Sequence, residues 1–362
     1  MLDVRNDSFW SRLAGAGWAS WFYLYKALLP LYLSFVYPRW RIDATQVLSY
    51  VPGLLVLAVF FVCWRYRRGW GRPVLLGLGY FVVMLLPVLG FVNIYFMRFS
   101  LVADHWQYFA IIGPIALIAG SATGAVEALG RVQPHLGVTL RGTLILALGV
   151  LTWKQSHIYG GHEALWQDTV AKNPACSLAH NNLGSVLANK GQLDEAIRHF
   201  QEAVRLQPGD VAAHSNLGAS LIRKGQTDEG IRELQEALRL QPDHARSHNN
   251  LGLALDNSGQ TEAAINHYQE ALRVKPDFPD ARLNLGTALV KKGQVTEGID
   301  QLQEALRLQP DNLGAHNNLG IALGMKGKID AAISQFQEVL RLKPDDAYAK
   351  TNLAKVLELK GK

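Results

Sequence analysis

The chain has 362 residues, with 36 Lys+Arg against 30 Asp+Glu, 49% hydrophobic residues and two cysteines. Such a length holds two or three domains, that hydrophobicity excludes low-complexity disorder, and Cys63 and Cys176 lie too far apart in unlike sequence for a disulfide framework or a cysteine-based zinc site. Residues 1–161 carry 13 Lys+Arg and 5 Asp+Glu, a balance of +8, whereas residues 162–362 carry 23 and 25, a balance of −2; the positive excess sits among apolar stretches and not on a soluble face, which excludes nucleic acid as a partner.

From the N-terminus, Met1–Gly17 holds Asp3, Arg5, Asp7 and Arg12 without an apolar core, so no cleavable signal peptide is expected. Four stretches then reach the roughly 20 apolar residues a bilayer-crossing helix needs: 18–37, 47–64, 73–92 and 107–126. A fifth, 138–153, is shorter and carries Arg141 near one end. Trp18, Tyr37, Trp64 and Trp153 at their ends fit an interfacial aromatic belt. Lys26 inside the first stretch is costly there unless its amine meets a lipid phosphate or snorkels to the interface. The loop Arg65-Tyr66-Arg67-Arg68-Gly69-Trp70-Gly71-Arg72 belongs in the cytoplasm by the positive-inside rule. With five spans, the chain after Trp153 then lies on the periplasmic or lumenal side.

The third connection would also be extracytoplasmic, and it brings Arg98, Asp104 and His105 close together in sequence. An arginine, an acid and an imidazole at a membrane surface suit a phosphorylated lipid or a proton transfer. The alternative is an interfacial loop in which Trp106 and Tyr108 anchor the next helix.

A connector and a lead-in helix occupy 156–176, and a repeat of 34 residues follows. Prolines stand at 174, 208, 242, 276, 310 and 344; Asn-Leu-Gly recurs from Asn182, Asn216, Asn250, Asn284 and Asn318; Gly191, Gly225, Gly259, Gly293 and Gly327 close the first helix of each repeat. Five repeats run 177–208, 211–242, 245–276, 279–310 and 313–344, and a polar capping helix takes 345–362. This spacing resembles the tetratricopeptide repeat, a helix-turn-helix. Leu183 and Leu187 mark the apolar face of a first helix, and Ala196, Phe200 and Ala203 that of a second. Small residues such as Gly184 and Ala196 let the two helices approach, and each proline stops the second helix. One repeat cannot bury its apolar face alone, so stacking into a superhelix is expected.

The repeats also resemble those of O-linked N-acetylglucosamine transferases, in which an asparagine before Leu-Gly forms a ladder that holds the backbone of an extended peptide. Asn182, Asn216, Asn250, Asn284 and Asn318 match that position, with Asn181, Asn249, Asn317, Arg223 and Lys291 expected beside them in the groove. An amide both donates and accepts, so it can read a peptide backbone with little regard for sequence. The alternative is local bonding within the repeat. His180, His214, His248 and His316 recur at the fourth position of four repeats. Stacked helices lie about 8–10 Å apart and ligands of one zinc about 2 Å from the metal, so packing, not metal binding, is their expected role.

Ala103-Asp104-His105-Trp106-Gln107-Tyr108, together with Tyr23-Leu24, Leu28, Pro30, Leu33-Ser34 and Tyr37, is similar to stretches of the transmembrane and tetratricopeptide repeat-containing proteins. That resemblance implies a multispanning half first and extracytoplasmic repeats second. It also implies kinship with GT-C glycosyltransferases linked to O-mannosylation, which draw sugar from a polyprenyl phosphate. Such enzymes carry a paired acidic motif in an early non-cytoplasmic loop. The acids before the second span here are Asp3, Asp7 and Asp43, none paired, so no independent glycosyl transfer is expected from this chain.

The expectation is thus an all-α chain, a transmembrane bundle over 1–155 followed by a tetratricopeptide superhelix. Its function would be that of a membrane-anchored protein in a bacterial inner membrane, whose periplasmic groove binds a peptide or partner protein, with a membrane lipid such as polyprenyl phosphate as a further ligand and no cofactor or metal. The alternative function is one part of a GT-C type protein O-glycosyltransferase.

Overall fold

The computed structural model describes residues 8–28, 34, 36–37, 40, 42–86, 89 and 161–360, with isolated positions between 112 and 153. The described residues are helical or irregular, with no strand among them. The chain divides into two compact units, 1–186 and 187–362.

In the first unit, α1 (Phe9–Leu28), a 3-10 turn (Val47–Tyr50), α2 (Val51–Arg65) and α3 (Gly71–Leu85) pack together. Ala16, Ala19, Tyr23, Phe81, Leu85 and Leu89 form their common core. A side chain on Gly17 would overlap the Gly53 backbone, so this glycine is what lets α1 meet α2, and Trp21 Nε1 donates to the Pro52 carbonyl at 2.9 Å beside it. α1 starts at Phe9 rather than Trp18 and ends at Leu28, two residues before Pro30, whose ring disfavours helix in the residue preceding it. Ser34, within the stretch 18–37, makes turn bonds instead: its N–H donates to Tyr37 Oη at 3.0 Å and its hydroxyl to the Val36 carbonyl at 3.1 Å.

Among the described residues, one helical stretch is long and apolar enough to cross a bilayer. It is Val47–Arg65, with a mean hydropathy of 2.3 and 11% of its apolar window buried. α3 is apolar but has 15 residues. The stretches 107–126 and 138–153 lie outside the described residues except at isolated positions. α4 (His162–Lys172) and the start of α5 (Ser177–Asn189) close the unit, with Val36, Cys176 and Ala179 buried together against Trp166 and Val170. Cys63 and Cys176 are buried free thiols, and burial pushes the Cys176 thiol up.

The second unit is a run of helix pairs. It comprises α6 (Leu193–Leu206), α7 (Val211–Arg223), α8 (Thr227–Leu240), α9 (Ala245–Asn257), α10 (Thr261–Val274), α11 (Pro279–Lys291), α12 (Val295–Leu308), α13 (Leu313–Met325), α14 (Ile329–Leu342) and α15 (Ala347–Lys360). Each first helix ends in a left-handed glycine, with φ of 89°, 81°, 90° and 71° at Gly225, Gly259, Gly293 and Gly327. The same two bonds recur at each: Gly225 N–H to Ile222 O at 2.9 Å and Gln226 N–H to Leu221 O at 2.9 Å define a Schellman cap. Starts are capped as well, Asp210 Oδ1 accepting from Ala212 and Ala213 and Asn312 Oδ1 from Ala315.

Packing is continuous along the run. α10 buries Ala264, Ile265 and Tyr268 against Leu285, Ala288 and Leu289 of the next repeat. Ile299, Leu302, Leu319, Leu323, Phe336 and Val356 join α12, α13, α14 and α15 in one cluster. Apolar surface removed from water at each such seam, at about 25 cal/mol per Å², is what holds a chain of small repeats together.

Candidate peptide-binding face

The ladder asparagines of this unit sit at one register of successive first helices, and Asn216, Asn250, Asn284 and Asn318 are half-buried there. Asn284 Nδ2 donates to Asn249 Oδ1 at 3.0 Å, and Asn318 Nδ2 donates to Thr287 Oγ1 at 2.8 Å. Part of the amide capacity therefore ties the fourth repeat to the third and the fifth to the fourth. An amide has two N–H donors and two acceptor lone pairs, so one lateral bond does not use the whole capacity of Asn284 or Asn318. Asn182 is likewise half-buried on α5.

The neighbouring asparagines prove to be inward-facing. Asn181, Asn249 and Asn317 are 8%, 6% and 8% exposed, so they offer little surface to a ligand, and Asn249 supports the ladder by accepting from Asn284. Asn317 Oδ1 and Asn352 Nδ2 are buried without a hydrogen-bond partner, an acceptor and a donor separated by the same 35 positions as the Asn249–Asn284 pair. Arg223 is exposed. Lys291 Nζ reaches back to Asp256 Oδ1 at 2.9 Å. Sequence reasoning missed Thr287, Leu253 and Ile321, which follow the ladder position on the same helices; Leu253 is 41% exposed. Their place three residues after an asparagine, on the same helical face, was the signal available.

The fourth-position histidines have a different task. His214 Nε2 lies 3.0 Å from the Pro208 carbonyl, His248 Nε2 2.9 Å from that of Pro242, and His316 Nε2 2.8 Å from that of Pro310. In the first unit His180 Nε2 does the same to Pro174 at 3.0 Å. Arg282 replaces histidine in the fourth repeat and donates from Nε to the Pro276 carbonyl at 3.2 Å. Each ring thus closes the end of the preceding repeat while its Nδ1 grips the second helix of its own: His214 to Glu233 at 2.6 Å, His248 to His267 at 3.0 Å, His316 to Gln335 at 2.7 Å. The Glu233 carboxylate raises the His214 pKa above its ordinary 6.5, whereas burial and then the His248 charge hold His267 below it. No group of three or more metal-ligating side chains occurs among the described residues.

In the first unit, Lys26 is buried with its Nζ 5.7, 5.6 and 5.3 Å from the ring centres of Phe22, Tyr25 and Tyr37. Aromatic faces surround the cation expected at a lipid phosphate or the interface. Arg98, Asp104 and His105 lie outside the described residues.

An all-α solenoid of 34-residue helix pairs, stacked through small and aromatic residues, is the architecture of proteins that bind other proteins or peptides. Family models of the tetratricopeptide repeat match residues 184–225, 209–277, 251–312, 283–347 and 317–362, so this part of the chain consists of tetratricopeptide repeats. Protein O-mannosyl-transferase Tmtc2 of Drosophila melanogaster is 29% identical over 120 residues, which span 33% of this chain and 12% of that protein. The chain therefore aligns with about an eighth of the length of that curated relative. Among solved structures, the Cut9–Hcn1 assembly of the APC/C superposes with a TM-score of 0.52 at 22% identity, covering 66% of this chain and 46% of the matched one. YrrB, a tetratricopeptide protein with an unusual peptide-binding site, gives a TM-score of 0.40 at 20% identity over 51% of this chain and 96% of its own.

Proposed function

We propose that this chain is a membrane-anchored interaction protein whose repeats hold an extended peptide, or an extended segment of a partner protein, along the first-helix asparagines. The observation that carries the proposal is the register of Asn216, Asn250, Asn284 and Asn318, all half-buried at one position of successive first helices, with a single lateral bond from each of Asn284 and Asn318. A regular row of amides captures main chain, and Leu253 and Ile321 between them offer apolar contacts for alternate side chains. The test is selection of peptides on the purified protein, followed by measurement of their affinity for a chain with Asn250, Asn284 and Asn318 changed to alanine. A loss of about tenfold or more with an unchanged thermal unfolding profile supports capture by the ladder. Equal affinity removes the mechanism.

Membrane attachment through the first 155 residues is supported by α2, where Leu54, Leu55, Leu57 and Phe61 are each more than half exposed, an apolar surface suited to lipid and ill suited to water. The arginine loop 65–72, cytoplasmic by the positive-inside rule, supports repeats on the periplasmic side when five spans are counted. Protease added to intact spheroplasts cuts the repeats if that topology holds and spares them if they face the cytoplasm.

A second function, one part of a protein O-glycosyltransferase that uses a polyprenyl-phosphate sugar, is favoured by the match to protein O-mannosyl-transferase Tmtc2. In it the repeats present the acceptor polypeptide and Arg98, Asp104 and His105 handle the lipid-linked donor. We expect no sugar transfer by the purified chain alone; transfer from a polyprenyl-phosphate sugar to a bound peptide would establish the enzyme.

A further inference from the structure

We propose that the turn joining α2 to α3 binds an anionic phospholipid, with its phosphate held by the arginines of the turn and an acyl chain laid along the exposed face of α2. This rests on the membrane-anchor reading above and adds a ligand to it. Arg65, Arg67, Arg68 and Arg72 fall within eight positions and are all exposed. The sequence has no Asp or Glu between Asp43 and Asp104, and among the described residues no carboxylate pairs with any of the four. Exposed arginines of the repeats are neutralised instead: Arg205, Arg239, Arg307 and Arg341 each bond to a glutamate three residues earlier.

The turn is closed. The N–H groups of Gly69 and Gly71 both donate to the Tyr66 carbonyl, at 3.0 and 3.2 Å, and a Cβ on Gly71 would overlap the Cys63 carbonyl. On this frame Arg67 is held in place: its guanidinium carbon lies 4.4 Å from the centre of the Trp64 ring, and its Nη1 donates to the Trp64 carbonyl at 3.2 Å. A guanidinium has five N–H donors, so this single bond leaves it able to grip phosphate oxygens as a fork.

Leu57, Phe61 and Trp64 stand three to four residues apart on one face of α2, 66%, 64% and 53% exposed. The Phe61 and Trp64 ring centres are 6.4 Å apart. Apolar side chains therefore lead, ring by ring, to a fixed cation, which is the order of tail and charged headgroup in a phospholipid. Tyr66 and Trp70, stacked with ring centres 5.5 Å apart and more than half exposed, supply interfacial aromatic surface beside the arginines. An acidic protein segment or a free phosphate would satisfy the charge and leave the apolar stripe bare.

The test mixes the full chain in detergent with equal amounts of phosphatidylglycerol and phosphatidylcholine of the same acyl chains, and measures the lipid that stays with the protein through gel filtration. Phosphatidylglycerol should be enriched about fivefold or more. Arg67→Gln with Arg68→Gln should remove most of that enrichment while melting is unchanged, and Arg65→Gln with Arg72→Gln, as a second pair, should lower it too. Arg205→Gln with Arg239→Gln in the repeats should leave it as it was. Equal retention of the two lipids, or enrichment indifferent to both pairs in the turn, overturns the site and leaves the membrane anchor standing. Retention of neither lipid removes the anchor and the site with it. Enrichment abolished by millimolar inorganic phosphate or by a glutamate-rich peptide assigns the arginines to a soluble anion and overturns the proposal as well.

Discussion

At the scale of single residues, the histidine column shows how one position serves different chemistry in successive repeats. Each Nε2 faces a proline carbonyl, which only accepts, so that nitrogen carries a proton. His214 Nδ1 faces the Glu233 carboxylate, so the doubly protonated ring is stabilised and its pKa rises above 6.5. The stability this adds is complete below pH 6.5 and is lost as pH rises through the raised folded value. His248 Nδ1 instead faces His267 Nδ1, and one proton bridges the two. A second proton would set two N–H groups against each other, with Glu270 and Asp243 as nearby anions and His244, Arg246 and Arg273 as nearby cationic groups. His267 is therefore held below 6.5, and the stability from burying it neutral is present above that pH and lost as pH falls toward the depressed value. NMR titration should place the His214 midpoint above 6.5 and that of His267 below it, with Glu233→Gln returning His214 toward the ordinary value. The column of histidines was legible in the sequence and packing was its expected role. Its partners were not named, because they stand 19 residues later on the second helix, a separation that only helix pairing brings together.

At the scale of elements, the period of 34 was legible in the prolines, asparagines and glycines, because helix stops and left-handed turns admit few residue types. Gly225 shows why: nothing lies within 4 Å of a Cβ built there, so alanine is disfavoured by its φ of 89° alone. Gly225→Ala should cost about 1–2 kcal/mol in urea unfolding and Gly225→Asn distinctly less. A second regularity went unnoticed in the sequence, an alternation between neighbouring repeats. The second and fourth repeats pair Gly230 and Gly298 with Leu234 and Leu302, and fill the gap with Ile222 and Val290. The first, third and fifth pair Ala196, Ala264 and Ala332 with Phe200, Tyr268 and Phe336, and have Ala188, Asp256 and Gly324 at the gap-filling place. Volume is conserved across three positions, and a pattern spread over two helices escapes a search for identical residues. A Cβ on Gly230 would lie 2.6 Å from Ile222 Cγ1. Gly230→Ala should therefore destabilise by about 1–3 kcal/mol, and combining it with Ile222→Ala should cost less than the sum of the two by about 0.5 kcal/mol or more, measured as a double-mutant cycle.

At the scale of the whole molecule, the solenoid half was legible because its pattern repeats, while the first half offered only hydropathy, which tells an apolar stretch from a polar one without fixing where a helix begins. Trp18–Tyr37 illustrates this: its residues are mostly apolar from end to end, yet the helix there runs Phe9–Leu28 and Ser34 bonds to a turn. The candidate face was legible as a row of asparagines and illegible in its depth, since burial of Asn249 and Asn317 follows from the curvature of stacked helices and not from their type. The repeats touch in sequence order, so perturbation should travel only to neighbours. Phe336, fully buried between α13, α14 and α15, is the place to test it. Phe336→Ala removes about 3–5 kcal/mol from a seam that no distant repeat shares. Hydrogen exchange should then show lost protection across residues 313–360 while the amides of 211–257 keep theirs. A uniform loss over 211–360 would mean that the array unfolds as one cooperative block, and that a ligand held at any one asparagine is coupled to every seam.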